Sequence, residues 1–197
     1  MKGSYLVATA AIVGLAAMPL AVSAAPYGNM GQNQTKRGWS LNAGPQYQTT
    51  TQLTAEEKAT VQRLLEEEKL AGDLYSAFYT KWGNEVFNRI AASEARHETA
   101  AERLATTYGV SDTRTTTAGT FTNTELQALY DSLLAKGMQS EAAALDVAKQ
   151  FETDDIAGLK AAQEVATATR LDRVLGNLKR ASEYHLNEFT AARNALN

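Results

Sequence analysis

FNRIAASEARHETAAERLATTY, residues 87–108, decides how this chain folds. Phe87, Ile90, Glu94, His97, Ala101, Leu104 and Tyr108 follow one another in alternating steps of three and four. That spacing is one face of an α-helix, and the face is apolar except at Glu94 and His97. A solvated ion pair would sit on the opposite face. A carboxylate and an imidazole three residues apart, inside an apolar stripe, fit a metal site instead. The question for the rest of the chain is whether other helices bring matching ligands to the same height.

Three more stripes do. Thr54-Ala55-Glu56-Glu57 is a capping box that starts a helix, with Leu53 placed as a hydrophobic staple. Its apolar face reads Val61, Leu64, Glu68, Ala71, Tyr75, Phe78 and Trp82. Glu68 lies inside that face, while Glu66 and Glu67 flank it and read as solvated. A lone carboxylate on a buried face implies a partner or a metal. Gly83 ends this helix, and the helix bearing Glu94 runs from about Asn84 to Tyr108. A third stripe begins near Ser140 and reads Glu141, Leu145, Ala148, Glu152, Asp155, Leu159, Ala162 and Ala166. The fourth follows a break at Thr167 to Thr169, with Thr169 as the expected cap. It reads Leu171, Leu175, Leu178, Ser182, His185 and Phe189. His97 and His185 are the two histidines of the chain, and each falls on such a stripe.

Between the second and third stripes lies a Thr-rich connection, Gly109 to Thr120. Thr122-Asn123-Thr124-Glu125 reads as a second capping box, opening a shorter helix that Gly137 stops. This whole stretch is a long crossover rather than a member of the bundle. The heights agree across it. Glu68 lies 15 residues before Gly83, and Glu94 and His97 lie 11 and 14 after it. Glu152 lies 15 before Thr167, and His185 lies 16 after Thr169. The expected fold is therefore all-α: a four-helix bundle with a long crossover carrying a short extra helix, and a carboxylate–histidine cluster at mid-height.

Glu68, Glu94-x-x-His97, Glu152 and Ser182-x-x-His185 resemble the ligand pattern of ferritin-like di-metal proteins at five of six positions. Glu68, Ala71 and Tyr75 are similar to the first-helix run of rubrerythrin-like proteins. Four segments carry a closer resemblance. They are Glu68-Lys69-Leu70-Ala71-Gly72-Asp73-Leu74-Tyr75, Ser93-Glu94-Ala95-Arg96-His97, Glu152-Thr153-Asp154-Asp155-Ile156 and Ser182-Glu183-Tyr184-His185-Leu186. Together they resemble an uncharacterised ferritin-like family called domain of unknown function 2202, from about Leu53 to Phe189. The resemblance implies a metal-binding bundle and supplies no reaction. The departure from the di-metal pattern is Ser182, where a glutamate is usual. Asp155, one turn from Glu152, is the nearest replacement; Glu188 points off the ligand face.

The expected metal ligands are thus Glu68, Glu94, His97, Glu152 and His185, with Asp155 as a sixth. Iron is the expected ion and manganese the alternative, since no thiolate selects a softer metal. Two ions are expected, or one if Ser182 leaves the second position empty. Glu68 or Glu152 would bridge two ions, and Tyr75 would be a neighbouring donor. Such a centre would oxidise Fe(II) or reduce peroxide. The alternative from another class is a non-catalytic secreted bundle, a binding or structural module whose polar cluster is a hydrogen-bonded network.

Composition and the N-terminus narrow the setting. The chain contains no cysteine, which excludes disulfides and thiolate metal sites. Lys2, the apolar run Tyr5 to Leu20 and Val22-Ser23-Ala24 read as a signal peptide, residues 1–24, cleaved after Ala24. Pro19 and the modest length of the run argue against a retained anchor. Removing Lys2 leaves 18 basic against 22 acidic residues, a net charge of about −4. No basic stripe points to nucleic acid. Residues 25–51 read as a flexible polar tail, and 52–197 as the bundle domain. The mature protein is expected in the periplasm or secreted, outside the membrane. The oligomeric state stays open, with a homodimer as one option.

Overall fold

The computed structural model describes residues 52–196; the signal peptide and tail expected before them lie outside the described residues. Five helices and no strand occur among the described residues. They are α1 (Ala55–Trp82), α2 (Glu85–Tyr108), α3 (Thr124–Gly137), α4 (Glu141–Val165) and α5 (Thr169–Asn194). α1 with α2 and α4 with α5 form two hairpins. α1 also lies against α4, and α2 against α5, which completes a four-helix bundle. α3 belongs to the crossover and packs on α1 and α4 from outside. None of the described helices is long and apolar enough to cross a membrane.

The helix ends follow from local chemistry. The Thr54 hydroxyl accepts the Glu57 N–H, and the Glu57 carboxylate accepts the Thr54 N–H, as a capping box requires. Glu57 does more than the sequence shows. Its Oε1 also accepts the N–H groups of Thr167 and Ala168 and the Thr167 hydroxyl. This corrects the expected Thr169 cap: α5 starts behind Ala168, which makes no side-chain capping bond, because a carboxylate from α1 holds the turn. Gly83 and Gly109 take the left-handed conformation, φ 69° and 64°, at the ends of α1 and α2.

Two other expectations are corrected, and a third holds for a different reason. α3 is capped by the Asn123 side chain, which accepts from Glu125 and Leu126; Thr122 instead donates to the Thr113 carbonyl. Gly137 ends α3, as expected, but is not left-handed. It is glycine because a Cβ there would overlap the ring of Phe78 on α1. Finally, Glu66 and Glu67 are not on a solvated face. Glu66 is buried and accepts the Asn123 N–H, and Glu67 is half-buried and paired with Arg63. The crossover lies on that side of α1, where Lys69 bonds the carbonyls of Thr117 and Thr120 and Asp73 accepts the Gly119 N–H.

Phe78 is fully buried and cannot swing away from a methyl group at 137. Overpacking of this kind costs about 1–3 kcal/mol, more than the ~1 kcal/mol alanine gains over glycine in a helix. Gly137→Ala is therefore expected to lower stability by about 2 kcal/mol in urea unfolding; an unchanged midpoint would refute the contact.

The core is divided. One apolar cluster holds Leu70, Leu74, Tyr75, Phe78, Phe87, Phe151 and Phe189, joined by Leu126 and Tyr130 from α3. The other holds Val61, Leu64, Leu65, Leu104, Leu159, Leu171, Leu175 and Leu178. Between them every bundle helix places polar residues in the interior: Glu68, Glu94, His97, Glu152, Asp155, Ser182 and His185.

Candidate metal centre

The four stripes bring Glu68, Glu94, His97, Glu152 and His185 into this one layer. Glu94, Glu152 and His185 are 2–3 % exposed and Glu68 6 %, so these groups are removed from water. Glu94 stands between the two imidazoles. Its Oε2 is 2.7 Å from His97 Nδ1, and its Oε1 is 2.8 Å from His185 Nδ1. Glu68 Oε2 lies 3.4 Å from His97 Nδ1, and Glu152 Oε1 3.7 Å from His185 Nδ1. Glu94 is thus the carboxylate that faces both imidazoles, and Glu68 and Glu152, the expected bridges, each stand beside one of them. The sequence places Glu94 in one hairpin with His97. It does not show that the second oxygen reaches across to α5.

Three buried atoms here lack a hydrogen-bond partner: Glu94 Oε1, His97 Nδ1 and His185 Nδ1. The Glu94–imidazole pairs stand 2.7–2.8 Å apart as ion pairs without the aligned geometry of a hydrogen bond, in an interior where a poorly met polar atom costs about 1–3 kcal/mol. Two ligands of one ion, each about 2.1 Å from it at a right angle, stand about 3 Å apart. Ligand atoms of Glu94, His97 and His185 all lie within 4.8 Å of one another, a group that could hold a metal ion.

The electrostatics of the layer show what it costs without a cation. Burial pushes the Glu68 carboxyl up to about 8, against the pull of His97. Burial likewise pushes Glu152 up to about 7, against His185. Burial opposes charge on the imidazoles, yet neighbouring carboxylates outweigh it. Glu68 and Glu94 raise His97 to about 10, and Glu152 and Glu94 raise His185 to about 9. Burial also works against the charge on Glu94, but His185 and His97 hold its carboxyl below the usual range. Glu94 is the fixed negative centre of the layer.

The other expected residues fall nearby. The Tyr75 hydroxyl donates to Glu152 Oε1 at 2.7 Å, so α1 orients a carboxylate of α4. Asp155 is brought to Ser182, whose Oγ lies 2.7 Å from Asp155 Oδ2 and 3.1 Å from the Leu178 carbonyl. It stands beside the layer, outside the close group of Glu94, His97 and His185. Glu188 is turned outward to Arg89 and Tyr184. The open groove of about 520 Å³ between the start of α2 and the end of α5 is lined by Arg89, Tyr184 and Glu188 and by no residue of the layer.

The family model described as Uncharacterized protein domain (DUF2202) matches residues 57–195, nearly the whole bundle. The chain belongs to this family. Uncharacterized protein MJ0754 of Methanocaldococcus jannaschii is 35 % identical to it over 138 residues, covering 70 % of this chain and 75 % of that protein. The crystal structure of hypothetical protein MJ0754 from Methanococcus jannaschii superposes with a TM-score of 0.72 at 33 % identity, over 80 % of this chain and 86 % of the other. Within DUF2202 these similarities fix the helical bundle; the chemistry rests on the polar layer.

Proposed function

We propose that this member of DUF2202 is a ferritin-like, non-haem metal protein that binds iron, with manganese as the alternative ion. The observation that supports it is the set of buried Glu94, His97 and His185 atoms that face one another without hydrogen bonds. Glu68 and His97 would hold one ion, Glu152 and His185 a second, and Glu94 would serve both. An all-oxygen-and-nitrogen donor set of this kind suits Fe(II) and Mn(II). Bound iron would supply one-electron chemistry, for oxidation of Fe(II) or reduction of peroxide.

The chain's own residues set the conditions for that chemistry. The two apolar clusters exclude water from both sides of the layer. Tyr75 fixes the orientation of Glu152. Glu68 and Glu152, raised toward neutral pH by burial, can each hold or release a proton at a carboxylate oxygen. A signal peptide at residues 1–24 would place this activity outside the cytoplasm, in the periplasm or the medium.

Metal analysis of the full chain after anaerobic reconstitution with Fe(II) tests the proposal. About two equivalents are expected, following the two-ion pattern of such bundles. Less than about half an equivalent of iron or manganese would instead support the second reading, a non-catalytic binding or structural bundle. The Ser182–Asp155 hydrogen bond favours that reading, because it resembles the start of a self-contained polar network.

A further inference from the structure

Glu94 treats the two halves of the polar layer alike, standing 2.7 Å from His97 Nδ1 and 2.8 Å from His185 Nδ1. The flanking carboxylates are also placed alike, Glu68 3.4 Å from the first imidazole and Glu152 3.7 Å from the second. What surrounds the halves is not alike. The His97 and Glu68 side chains are 12 % and 7 % exposed, those of His185 and Glu152 3 % and 2 %. The Tyr75 hydroxyl donates to Glu152 Oε1 at 2.7 Å, the same oxygen that faces His185. Tyr75 is itself held. Its ring lies edge-on to Phe151 at 6.3 Å and against Phe189 at 4.9 Å, and it is fully buried. Phe151 directly precedes Glu152, and Phe189 follows His185 by one turn, so this half is walled by the rings that hold the hydroxyl. Among the described residues Glu68 has no such anchor; its polar neighbours are His97 and Glu94. One turn further along α1, Gly72 brings no side chain over it. Among the described residues a Cβ there would meet Glu94 Cβ alone, at 3.6 Å.

We propose that the two ion positions are unequal: the one built from Glu152 and His185 retains its ion, and the one built from Glu68 and His97 exchanges its ion with solution, with Tyr75 as the positioning residue that sets the difference. This rests on the metal-binding reading. An ion leaves when water or another ligand replaces its protein ligands one at a time. At the His185 half both requirements are opposed. The ligands present almost no surface to water, and turning Glu152 away breaks the Tyr75 bond inside an aromatic wall, where an unmet hydroxyl is costly. At the His97 half the imidazole is partly exposed, and Glu68 turns without breaking such a bond. One ion is then a fixture of the fold, and the other place is the one that loads and empties. A metal ion taken up as substrate would occupy that second place.

The test uses the full chain loaded with Co(II), mixed with excess EDTA and followed by stopped-flow visible absorbance. The parent is expected to release two equivalents in two phases at least about 10-fold apart, the lower end of what a partner that orients a ligand contributes. Glu68→Gln should retain one equivalent that leaves slowly, and Glu152→Gln one that leaves at least about 10-fold faster. Coupling through Glu94 alone would give these two variants equal rates. Tyr75→Phe keeps the ring and removes the hydroxyl. It should speed the slow phase about 10–100-fold and leave the fast one unmoved, a split that general loosening of the core would not produce. Circular dichroism establishes that each variant is folded, and the two phases of the parent need no variant. A single phase in the parent, equal rates in the two glutamine variants, or equal acceleration of both phases in Tyr75→Phe would overturn the inequality and leave the metal centre standing. Uptake of one equivalent by the parent would do the same, since the second place would not exist. Failure of the parent to take up Co(II) would overturn both readings.

Discussion

Glu94→Gln is expected to abolish tight metal binding while the protein stays folded. The substitution keeps the shape of the side chain, so neither apolar cluster loses a contact. It removes the one carboxylate that both imidazoles face, and with it the negative charge both ions would share. Residues that merely orient a ligand cost about 10–100-fold in affinity when replaced. Losing a shared ligand should exceed that, a drop of more than about 100-fold for each ion. In the absence of metal the balance differs. A neutral amide takes the shared carboxylate away from both imidazoles, so the apo variant should stay folded but unfold at a lower temperature than the apo parent near neutral pH. Calorimetry with and without Fe(II) or Mn(II) reads both quantities. An apo variant that fails to fold would show that Glu94 is structural, and unchanged metal affinity would remove it from the centre.

The second large effect is on proton linkage. Glu68, Glu152, His97 and His185 all have raised proton affinities in the folded, metal-free protein. For the histidines this is stability fully present below an unfolded value near 6.5 and lost as pH climbs through about 9 to 10. For the two glutamates the folded state favours the protonated form, so stability falls as pH rises from 4.5 through about 7 and 8. The signs agree: across this range the native state binds more protons than the unfolded chain, and the apo protein should become less stable from about pH 5 to pH 9. A metal ion needs these same groups deprotonated, so binding should release protons and strengthen steeply with pH. Thermal unfolding of the apo and loaded protein at pH 6 and pH 8.5 should show opposite trends. Parallel trends would mean that the ion binds elsewhere. Titration of Fe(II) into weakly buffered protein should acidify the solution, and an unmoved pH would likewise place the ion away from these four groups.

The stripes made the bundle legible, because a 3.6-residue period records burial directly. All six positions read on α5, from Leu171 to Phe189, are buried. Equal distances from the turns brought Glu68, Glu94, His97, Glu152 and His185 to one height, since antiparallel helices rise at the same rate. What the sequence concealed was reach across space. Glu57 looked like a local cap, and its second oxygen holds a turn 110 residues away. Glu66 looked solvated because the crossover that buries it has no periodicity of its own. Gly137 ends its helix as it looked to do, but the reason it is glycine is Phe78, a residue 59 positions earlier. The sharing of Glu94 between two imidazoles depends on side-chain rotamers in two hairpins, and no spacing rule encodes that.

The division of the core by the polar layer also fixes helix register. Stripes of leucine, alanine and phenylalanine are interchangeable enough that a helix could slide by one turn and still bury them. It could not do so here without setting His185 or Glu152 against apolar side chains and leaving an ionisable group unmatched. A slip of α5 by four residues would move His185 away from Glu94 and bring Phe189 toward it. The residues proposed to bind metal therefore act as an alignment key during folding: they leave the two hairpins a single way to dock, before any ion arrives.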